Sequence, residues 1–237
     1  MKSQLKWLAT VVLLLIVSAS VQGQQYKTFK PELTLGVGAG TVFTSVDFVA
    51  KVPQTTTQGL SGGISLRYIT EKHLGLLAEL NYTQRGWTED FSEAPKNPDH
   101  SYSRTLSYIE LPLMTHIYFG NKVKFVINLG PQVSYMFSDN NGTMNDALTE
   151  YISNQKEIDP DNPIGLQYET VDSKFDYGLL AGLGVEFDTA LGNFILEGRY
   201  YFGLGDSFDS SRSKVGNFSR SAHRYMGAKL TYYFFSF

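Results

Sequence analysis

Eight segments of this 237-residue chain alternate between apolar side chains and polar or small ones, and this period of two constrains the fold most. Residues 175–187, FDYGLLAGLGVEF, place Tyr177, Leu179 and Phe187 on one face, opposite glycines and Glu186. Such alternation is typical of a β-strand whose two faces meet different environments. The eight predicted strands span residues 32–43, 59–69, 74–87, 103–119, 123–137, 175–187, 193–204 and 222–236.

The connections between these strands alternate between short and long. Three are short, at residues 70–73, 120–122 and 188–192, and four are long, at residues 44–58, 88–102, 138–174 and 205–221. An outer-membrane barrel has this plan, with short periplasmic turns and longer external loops, and its closure leaves no strand edge for lipid to meet. We therefore predict an all-β fold, an eight-stranded antiparallel transmembrane β-barrel in the outer membrane of a Gram-negative bacterium, with both termini in the periplasm.

The N-terminal residues predict a secretory signal peptide. Two lysines precede an apolar run over residues 8–19, and small residues follow near Gly23. The run is too short to cross a bilayer comfortably as a helix, which disfavours a retained anchor. We predict a cleaved signal peptide over residues 1–23 and one barrel domain over residues 24–237. The chain has no Cys, which excludes disulfides and thiol chemistry.

The C-terminal residues 230–237, LTYYFFSF, are the most aromatic segment of the chain. They form the last predicted strand, which must close against the first, and their aromatic rings suit the interfacial girdle of a membrane barrel. Both alternating faces are apolar, so the pattern does not assign an inward face. A terminal Phe resembles the C-terminal signature read by the outer-membrane insertion machinery, so Phe237 is the predicted insertion signal.

Charged residues are distributed as such a barrel requires. Fifteen of the 23 acidic residues lie in the four long connections, eight of them in residues 138–174. A charge on the lipid face would cost about 2–4 kcal/mol near the midplane, so we expect strand charges to point inward, where opposite charges can pair. The predicted interior charge network comprises Arg67, Glu79, Arg85, Glu110, Glu186, Glu197, Arg199 and Lys229.

These charges admit two interpretations. Structural pairing in a plugged barrel is favoured, because eight strands leave an interior just wide enough for side chains to fill. A small pore or transport channel is the alternative. Inward-facing glycines could leave room for a channel, but we expect them to make space for Arg and Tyr side chains from facing strands. They are Gly36, Gly38, Gly40, Gly182 and Gly184.

Four stretches occur in order along the chain: YIELPLM (108–114), INLGPQVSYMF (127–137), FDYGLLAGLGVEF (175–187) and LEGRYYFGLGD (196–206). Together with the aromatic C-terminus they resemble the PorT-like small outer-membrane β-barrel family of the Bacteroidota. The resemblance covers essentially the whole mature chain and implies an eight-stranded barrel. It implies little about activity, although the member that names the family serves a protein-secretion system.

We expect a non-enzymatic structural or interaction role through the long acidic loops, in one version as an accessory to a secretion or surface-assembly system. No catalytic residue, cofactor or metal site is predicted. The expected partners are outer-membrane lipid and, as a candidate, another outer-membrane or secreted protein. The net charge of −3 gives no case for nucleic-acid binding, which requires a clustered basic face.

Weaker alternatives concern the loops and the polarity of the barrel. His223, with Asp206, Ser207 and Asp209 before it, could form a hydrolase site at the rim, although Ser and Asp are also ordinary loop residues. A soluble, lipocalin-like barrel with its apolar side inside is a less favoured fold. The strand faces of this chain are rich in Gly and charge, and such faces would line the lipid-binding cavity of a lipocalin-like barrel poorly.

Two further loop features have alternative readings. The stretches 138–146 and 158–163 place oxygen ligands close together, but neither has the spacing of a calcium-binding loop, so solvated turns are favoured. Aromatic residues in or beside the long connections mark either a binding surface, or the upper aromatic girdle and the packed base of the loops, which is the expectation for Trp87. They are Trp87, Phe91, Tyr102, Tyr151 and Tyr168.

Overall fold

The structure of the protein is a computed structural model that describes residues 29–49, 51–92, 99–158, 166–208 and 219–236. The predicted signal peptide, residues 1–23, and the predicted insertion signal Phe237 lie outside the described residues. All strands of the sheet belong to one compact unit, which begins at Pro31.

Eight long strands form one antiparallel sheet that closes on itself. The strands are β1 (Glu32–Val49), β2 (Thr57–Glu71), β3 (Leu74–Glu89), β4 (Tyr102–Gly120), β5 (Val123–Asp139), β6 (Phe175–Thr189), β7 (Gly192–Gly203) and β8 (Arg220–Ser236). Each strand pairs with its neighbours in the chain, and β8 pairs with β1 to close the circle. Strands of 12 to 19 residues exceed the nine to eleven or so needed to cross a bilayer at a tilt. The predicted eight-stranded antiparallel barrel is confirmed.

The seam between β8 and β1 explains why the C-terminal strand is aromatic on both faces. Tyr233 points inward, and its ring centre lies 4.3 Å from the guanidinium of Arg67. Tyr232 points outward and stacks on Phe194 of β7 with ring centroids 4.7 Å apart. The register of β8 also shifts opposite Leu35–Gly36, a β-bulge near the end of the seam. The aromatic side chains of β8 therefore pack into the barrel interior on one face of the strand and cover the outer wall on the other.

The barrel wall is apolar outside and polar inside over most of its height. On the outward faces, large apolar side chains such as Phe125, Leu183 and Leu60 are 61 to 67% exposed. The inward faces carry buried charged and amide side chains, interspersed with apolar ones such as Leu77, Leu180 and Ile195. This polarity suits a surrounding of lipid and is the opposite of the lipocalin-like alternative, which is therefore wrong.

The long connections are shorter than predicted, because the strands continue beyond the apolar band. β1 extends to Val49, and a two-residue strand, Gln54–Thr55, pairs with the end of β3. In this extension the polarity of the wall is inverted: Val46 and Phe48 point inward and are buried, while Asp47 points outward. The wall beyond the band thus has the apolar interior of a water-soluble β-protein.

The connection between β5 and β6 contains a helix that the sequence analysis did not predict. The helix α1 (Asp146–Ile158) begins after Asn145, whose side-chain oxygen accepts the Leu148 N–H at 3.2 Å as an N-cap. Leu148 and Ile152, four residues apart, direct an apolar stripe at the barrel mouth. Among the described residues, no helix is both long and apolar enough to cross a membrane.

Candidate functional site

The eight predicted interior charges all point into the barrel and are at most 8% exposed. With Asp176 and Lys124, they form three clusters stacked along the barrel from the long-connection end to the short-turn end. The upper cluster is Arg85, Glu110 and Asp176; the middle cluster is Glu79, Glu197, Arg199 and Lys229; the lower cluster is Arg67, Lys124 and Glu186.

Asp176 and Lys124 are the two members that the sequence analysis missed. Strand parity could have found both. Asp176 has the same parity on β6 as Glu186, and Lys124 has the same parity on β5 as the buried Asn128.

Glu79 of β3 is the centre of the middle cluster. Its carboxylate oxygens accept hydrogen bonds from Nη1 and Nη2 of Arg199 at 2.6 and 2.8 Å. Lys229 Nζ donates at 2.9 Å, and the side chains of Asn81 and Ser65 donate at 2.9 and 3.0 Å. These donors compensate the carboxylate for its removal from water, as a buried charge requires.

Two inward-facing glycines make room for charged side chains of the middle cluster. A Cβ at Gly182 of β6 would lie 1.7 Å from Oε1 of Glu197. The other carboxylate oxygen of Glu197, Oε2, accepts a hydrogen bond from Arg199 at 2.9 Å. A Cβ at Gly38 of β1 would lie 2.6 Å from Cε of Lys229. The space beside these glycines is therefore occupied by neighbouring strands' side chains.

Arg85 of β3 organises the upper cluster. Its Nη1 donates to Asp176 at 2.6 Å, and its Nη2 donates to Glu110 and, at 3.1 Å, to the Ser134 hydroxyl. The Tyr201 hydroxyl donates to Asp176 at 2.9 Å. One guanidinium therefore joins β3 to β4, β5 and β6.

Three tyrosine rings surround the same guanidinium. The Cζ atom of Arg85 lies 4.7, 4.5 and 5.1 Å from the ring centres of Tyr108, Tyr201 and Tyr225. A desolvated guanidinium is attracted to aromatic faces, so the rings both stabilise the charge and fill the cross-section at this level.

The lower cluster is centred on Glu186 of β6. Its carboxylate accepts hydrogen bonds from Arg67 Nη1 at 2.9 Å and from Lys124 Nζ at 3.3 Å. Arg67 Nε also donates to the Thr34 hydroxyl at 3.1 Å. Lys124 is the more exposed partner and marks the short-turn end of the barrel.

The formal charges of the three clusters form a gradient along the barrel. One base and two acids give −1 in the upper cluster, two of each give 0 in the middle, and two bases and one acid give +1 in the lower. Between the upper and middle clusters lies a cavity of about 10 Å³ next to Asn81, Glu110 and Tyr225, about the space of one water molecule.

Above the upper cluster, an apolar group of side chains, here called the mouth cluster, fills the barrel. It consists of Val46, Phe48, Val52, Trp87, Phe91, Tyr102, Leu106, Tyr108, Met136, Leu148, Val171 and Phe208. Three of the loop aromatics, Trp87, Phe91 and Tyr102, are buried in it, so they pack the base of the loops. Tyr168 packs against the cluster, and Tyr151 on α1 is exposed.

Arg104 of β4 anchors the connection that carries α1. Its Nε and Nη2 donate to the Asp139 carboxylate at 3.0 and 2.5 Å. Its Nη1 donates to the backbone carbonyls of Gln167 and Glu169 at 3.3 and 2.5 Å. A single buried side chain therefore holds both ends of this connection against the barrel mouth.

Tyr168 provides a second anchor. Its hydroxyl donates to Glu89 at the end of β3 at 2.7 Å. Burial and the neighbouring Glu89 carboxylate raise the pKa of Tyr168 above its usual value, so the hydroxyl keeps its proton and its role as donor.

A comparison with protein families bears on the class of barrel. The family model described as "Outer membrane protein beta-barrel domain" matches residues 22–209. The chain belongs to this outer-membrane β-barrel family. Among curated proteins, no sequence matches the chain.

Solved structures similar to this outer-membrane barrel share little sequence with it. Ail of Yersinia pestis, in complex with the heparin analogue sucrose octasulfate, is 11% identical, with 88% of this chain and 100% of Ail covered at a TM-score of 0.44. OprG of Pseudomonas aeruginosa is 10% identical, with 91% and 99% covered at 0.46. Neisserial surface protein A is 13% identical, with 85% and 96% covered at 0.42. These identities are too low to transfer a function.

The residues of the alternative rim hydrolase site have structural contacts in this outer-membrane barrel. His223 is buried, with Nε2 3.2 Å from the Tyr108 hydroxyl. Asp206 accepts the backbone N–H of Ser221 at 2.7 Å, and the Ser207 N–H donates to the Ser221 carbonyl. Asp209 lies outside the described residues. These contacts hold the start of the connection between β7 and β8 against the beginning of β8.

The candidate calcium ligands of residues 138–146 are used by a turn and by the helix cap. Asn140 Oδ1 accepts the backbone N–H groups of Thr105 and Gly142, each at 3.0 Å. Asp139 binds Arg104, as described above. Residues 159–163 of the second stretch lie outside the described residues.

Proposed function

We propose that this protein is a non-enzymatic outer-membrane barrel that binds a partner through its long connections. One observation carries the proposal: in the described part of the chain, the interior is filled by the three charged clusters, the apolar and tyrosine side chains between them, and the mouth cluster. The cavity between the upper and middle clusters has room for about one water molecule. A filled interior favours a role for the outer surface. It also leaves the buried charges engaged with one another, whereas catalysis needs a group within reach of a substrate.

The long-connection end suits such a role because it is pre-organised. Arg104, Tyr168 and the apolar stripe of α1 hold the described parts of this connection, residues 140–158 and 166–174, against the mouth. Ordering a loop before binding reduces the entropy lost when a partner docks. The exposed side of α1 carries Asp146, Glu150 and Tyr151, so the partner surface that fits it is basic and contains apolar contacts.

The proposal includes the orientation and the biological setting. The signal peptide directs the chain to the periplasm, the termini stay there, and the long connections face outward. The partner is another outer-membrane or secreted protein, and the barrel is an accessory to its secretion or surface assembly. The resemblance to the PorT-like family of the Bacteroidota motivates this version.

Partner capture with Arg104→Gln tests the proposal. Tagged barrel is cross-linked in native outer membranes, and captured proteins are quantified for wild type and R104Q. Loss of the anchor leaves the sequence of the loop intact but removes its pre-organisation. We expect capture of a stoichiometric partner to fall about tenfold, as a loss of 1.4 kcal/mol in binding gives.

Lys122→Gln provides the control, because Lys122 is exposed in the short turn at the opposite end. It removes the same charge and should leave capture unchanged. Equal capture by wild type and R104Q, or no partner in any sample, would contradict a docking role for this connection.

A small pore is the second candidate, because polar side chains line the interior at three successive levels. Their rearrangement would open a polar path without moving the wall. A pore predicts steady conductance in planar bilayers, with ion selectivity that changes in E79Q and R199Q but not in K122Q. Under the proposed function, folded wild-type barrel should be electrically silent, and steady wild-type currents would favour the pore.

A further inference from the structure

The outward face of the barrel carries one cluster of charges beside the apolar band at the long-connection end. It consists of Asp47 on β1 and of Arg220 and Arg224 on β8, on both sides of the closing seam. The other charged residues of the described strands point inward or lie at strand ends; Glu32, at the short-turn end of β1, has the same parity as the buried Thr34. Charge facing lipid is costly, so outward charge is expected only at or beyond the edge of the apolar band.

The register places the cluster at the edge of the apolar band. Arg224 pairs with Ser45 of β1 and with Phe202 of β7. On β1, the outward Phe43 belongs to the apolar band, and the outward Ser45 and Asp47 follow it. The outward aromatics Tyr200 and Phe202 lie at the same level, where the girdle of a membrane barrel meets the head groups.

The two guanidinium groups share one carboxylate and one aromatic ring. Arg224 Nη2 and Arg220 Nε lie 3.2 and 3.3 Å from the same Asp47 oxygen. Arg224 Nη1 also donates to the Gly203 carbonyl at 2.6 Å. The Cζ atoms of Arg224 and Arg220 lie 3.7 and 5.6 Å from the ring centre of Phe202. The ring and the backbone hold Arg224 flat against the wall.

This arrangement leaves positive charge and free donors at the lipid boundary. Two cations and one anion give a formal charge of +1. The Arg220 side chain is 37% exposed, and its Nη1 and Nη2 groups donate no hydrogen bond within the described part of the chain. Guanidinium groups match phosphate oxygens in geometry and bind them with two parallel hydrogen bonds.

We propose that Arg220 and Arg224 bind the phosphate-bearing head group of a lipid in the leaflet around the long-connection end. The guanidinium groups take the phosphate, while the apolar wall below them, with Phe43 and Met226 outward, takes the acyl chains. Asp47 limits the affinity, because it offsets one of the two positive charges and competes for their donors.

Lipid titration of the full-length barrel tests this site. Barrel in an uncharged detergent is titrated with phosphatidic acid, a phosphomonoester lipid, and with phosphatidylcholine, and bound lipids are counted by native mass spectrometry. We expect wild type to prefer phosphatidic acid, and R220Q/R224Q to bind it about tenfold more weakly, the factor that corresponds to 1.4 kcal/mol. Asp47→Asn should bind it more tightly than wild type.

The matched control is K72Q/K122Q, which removes two positive charges from exposed positions in the short turns. It should keep the wild-type affinity, and all variants should keep heat-modifiable migration on gels as evidence of folding. R220Q alone, which leaves the embedded Arg224 in place, should show a partial loss. Equal binding by wild type and R220Q/R224Q, or an equal loss in K72Q/K122Q, would overturn the proposal. Displacement of the lipid by excess inorganic phosphate would overturn it too, by showing a site for free phosphate.

Discussion

Glu79→Gln is expected to lower the free energy of unfolding of the barrel by about 3–5 kcal/mol, the cost of leaving a buried charge without its partner. Glu79 is the acceptor for both Arg199 and Lys229. With its charge removed, the middle cluster changes from a formal charge of 0 to +1 in the buried interior of the barrel. The measurement is guanidinium unfolding in a fixed detergent, with the midpoint and slope compared with those of wild type.

The double variant E79Q/R199Q separates lost charge balance from lost packing. It restores neutrality, because Glu197 and Lys229 remain as one acid and one base. We therefore expect the double variant to be about 1–3 kcal/mol more stable than the sum of the two single losses predicts. Glu71→Gln, an exposed change at the end of β2, should stay within about 0.5 kcal/mol of wild type. Simple additivity of the two single variants would show that the pair is not coupled and would contradict this account.

The wall of the barrel could be predicted from the sequence because lipid imposes one rule on every strand. Within the apolar band, outward residues must be apolar, so a charge there, such as Glu79 or Arg199, has to point inward. The alternation along each strand therefore identifies the charged residues that point into the barrel, and Asp176 and Lys124 are among them. It does not indicate which charges pair, because Arg199 and Glu79 come from β7 and β3 and meet only across the closed barrel.

The long-connection end was harder to predict because a different rule applies there. Beyond the apolar band the wall is in water, and the strands keep their period of two with the polarity inverted. Residues such as Phe48 and Trp87 therefore point inward where the pattern below has charges. Helix α1 was missed for a related reason. Its apolar stripe is short, and the helix is stabilised by packing this stripe on the mouth cluster. That cluster is assembled from six other segments of the chain.

Trp87→Ala is expected to cost about 3–5 kcal/mol, the range for truncation of a buried large aromatic side chain. Trp87 is fully buried, with edge-to-face contacts to Phe48 and Phe208 at centroid distances of 5.5 and 6.2 Å. The ring centre also lies 5.7 Å from the guanidinium carbon of Arg104. Truncation thus removes the centre of the mouth cluster and one support of the Arg104 anchor.

The loss should appear first as local opening at the mouth. The three charged clusters lie below Trp87 and keep their contacts, so in W87A the connection that carries α1 should be cut by protease while the strands remain protected. Trp87→Phe keeps much of the ring and should keep most of the protection. Phe175→Ala removes an aromatic ring from the outward face near the same end and should leave α1 uncut. If W87A instead unfolds in one step, with α1 protected until the strands open, then the mouth cluster and the barrel wall form one cooperative unit. In that case the apolar interior above the band and the charged interior within it stabilise a single folded core.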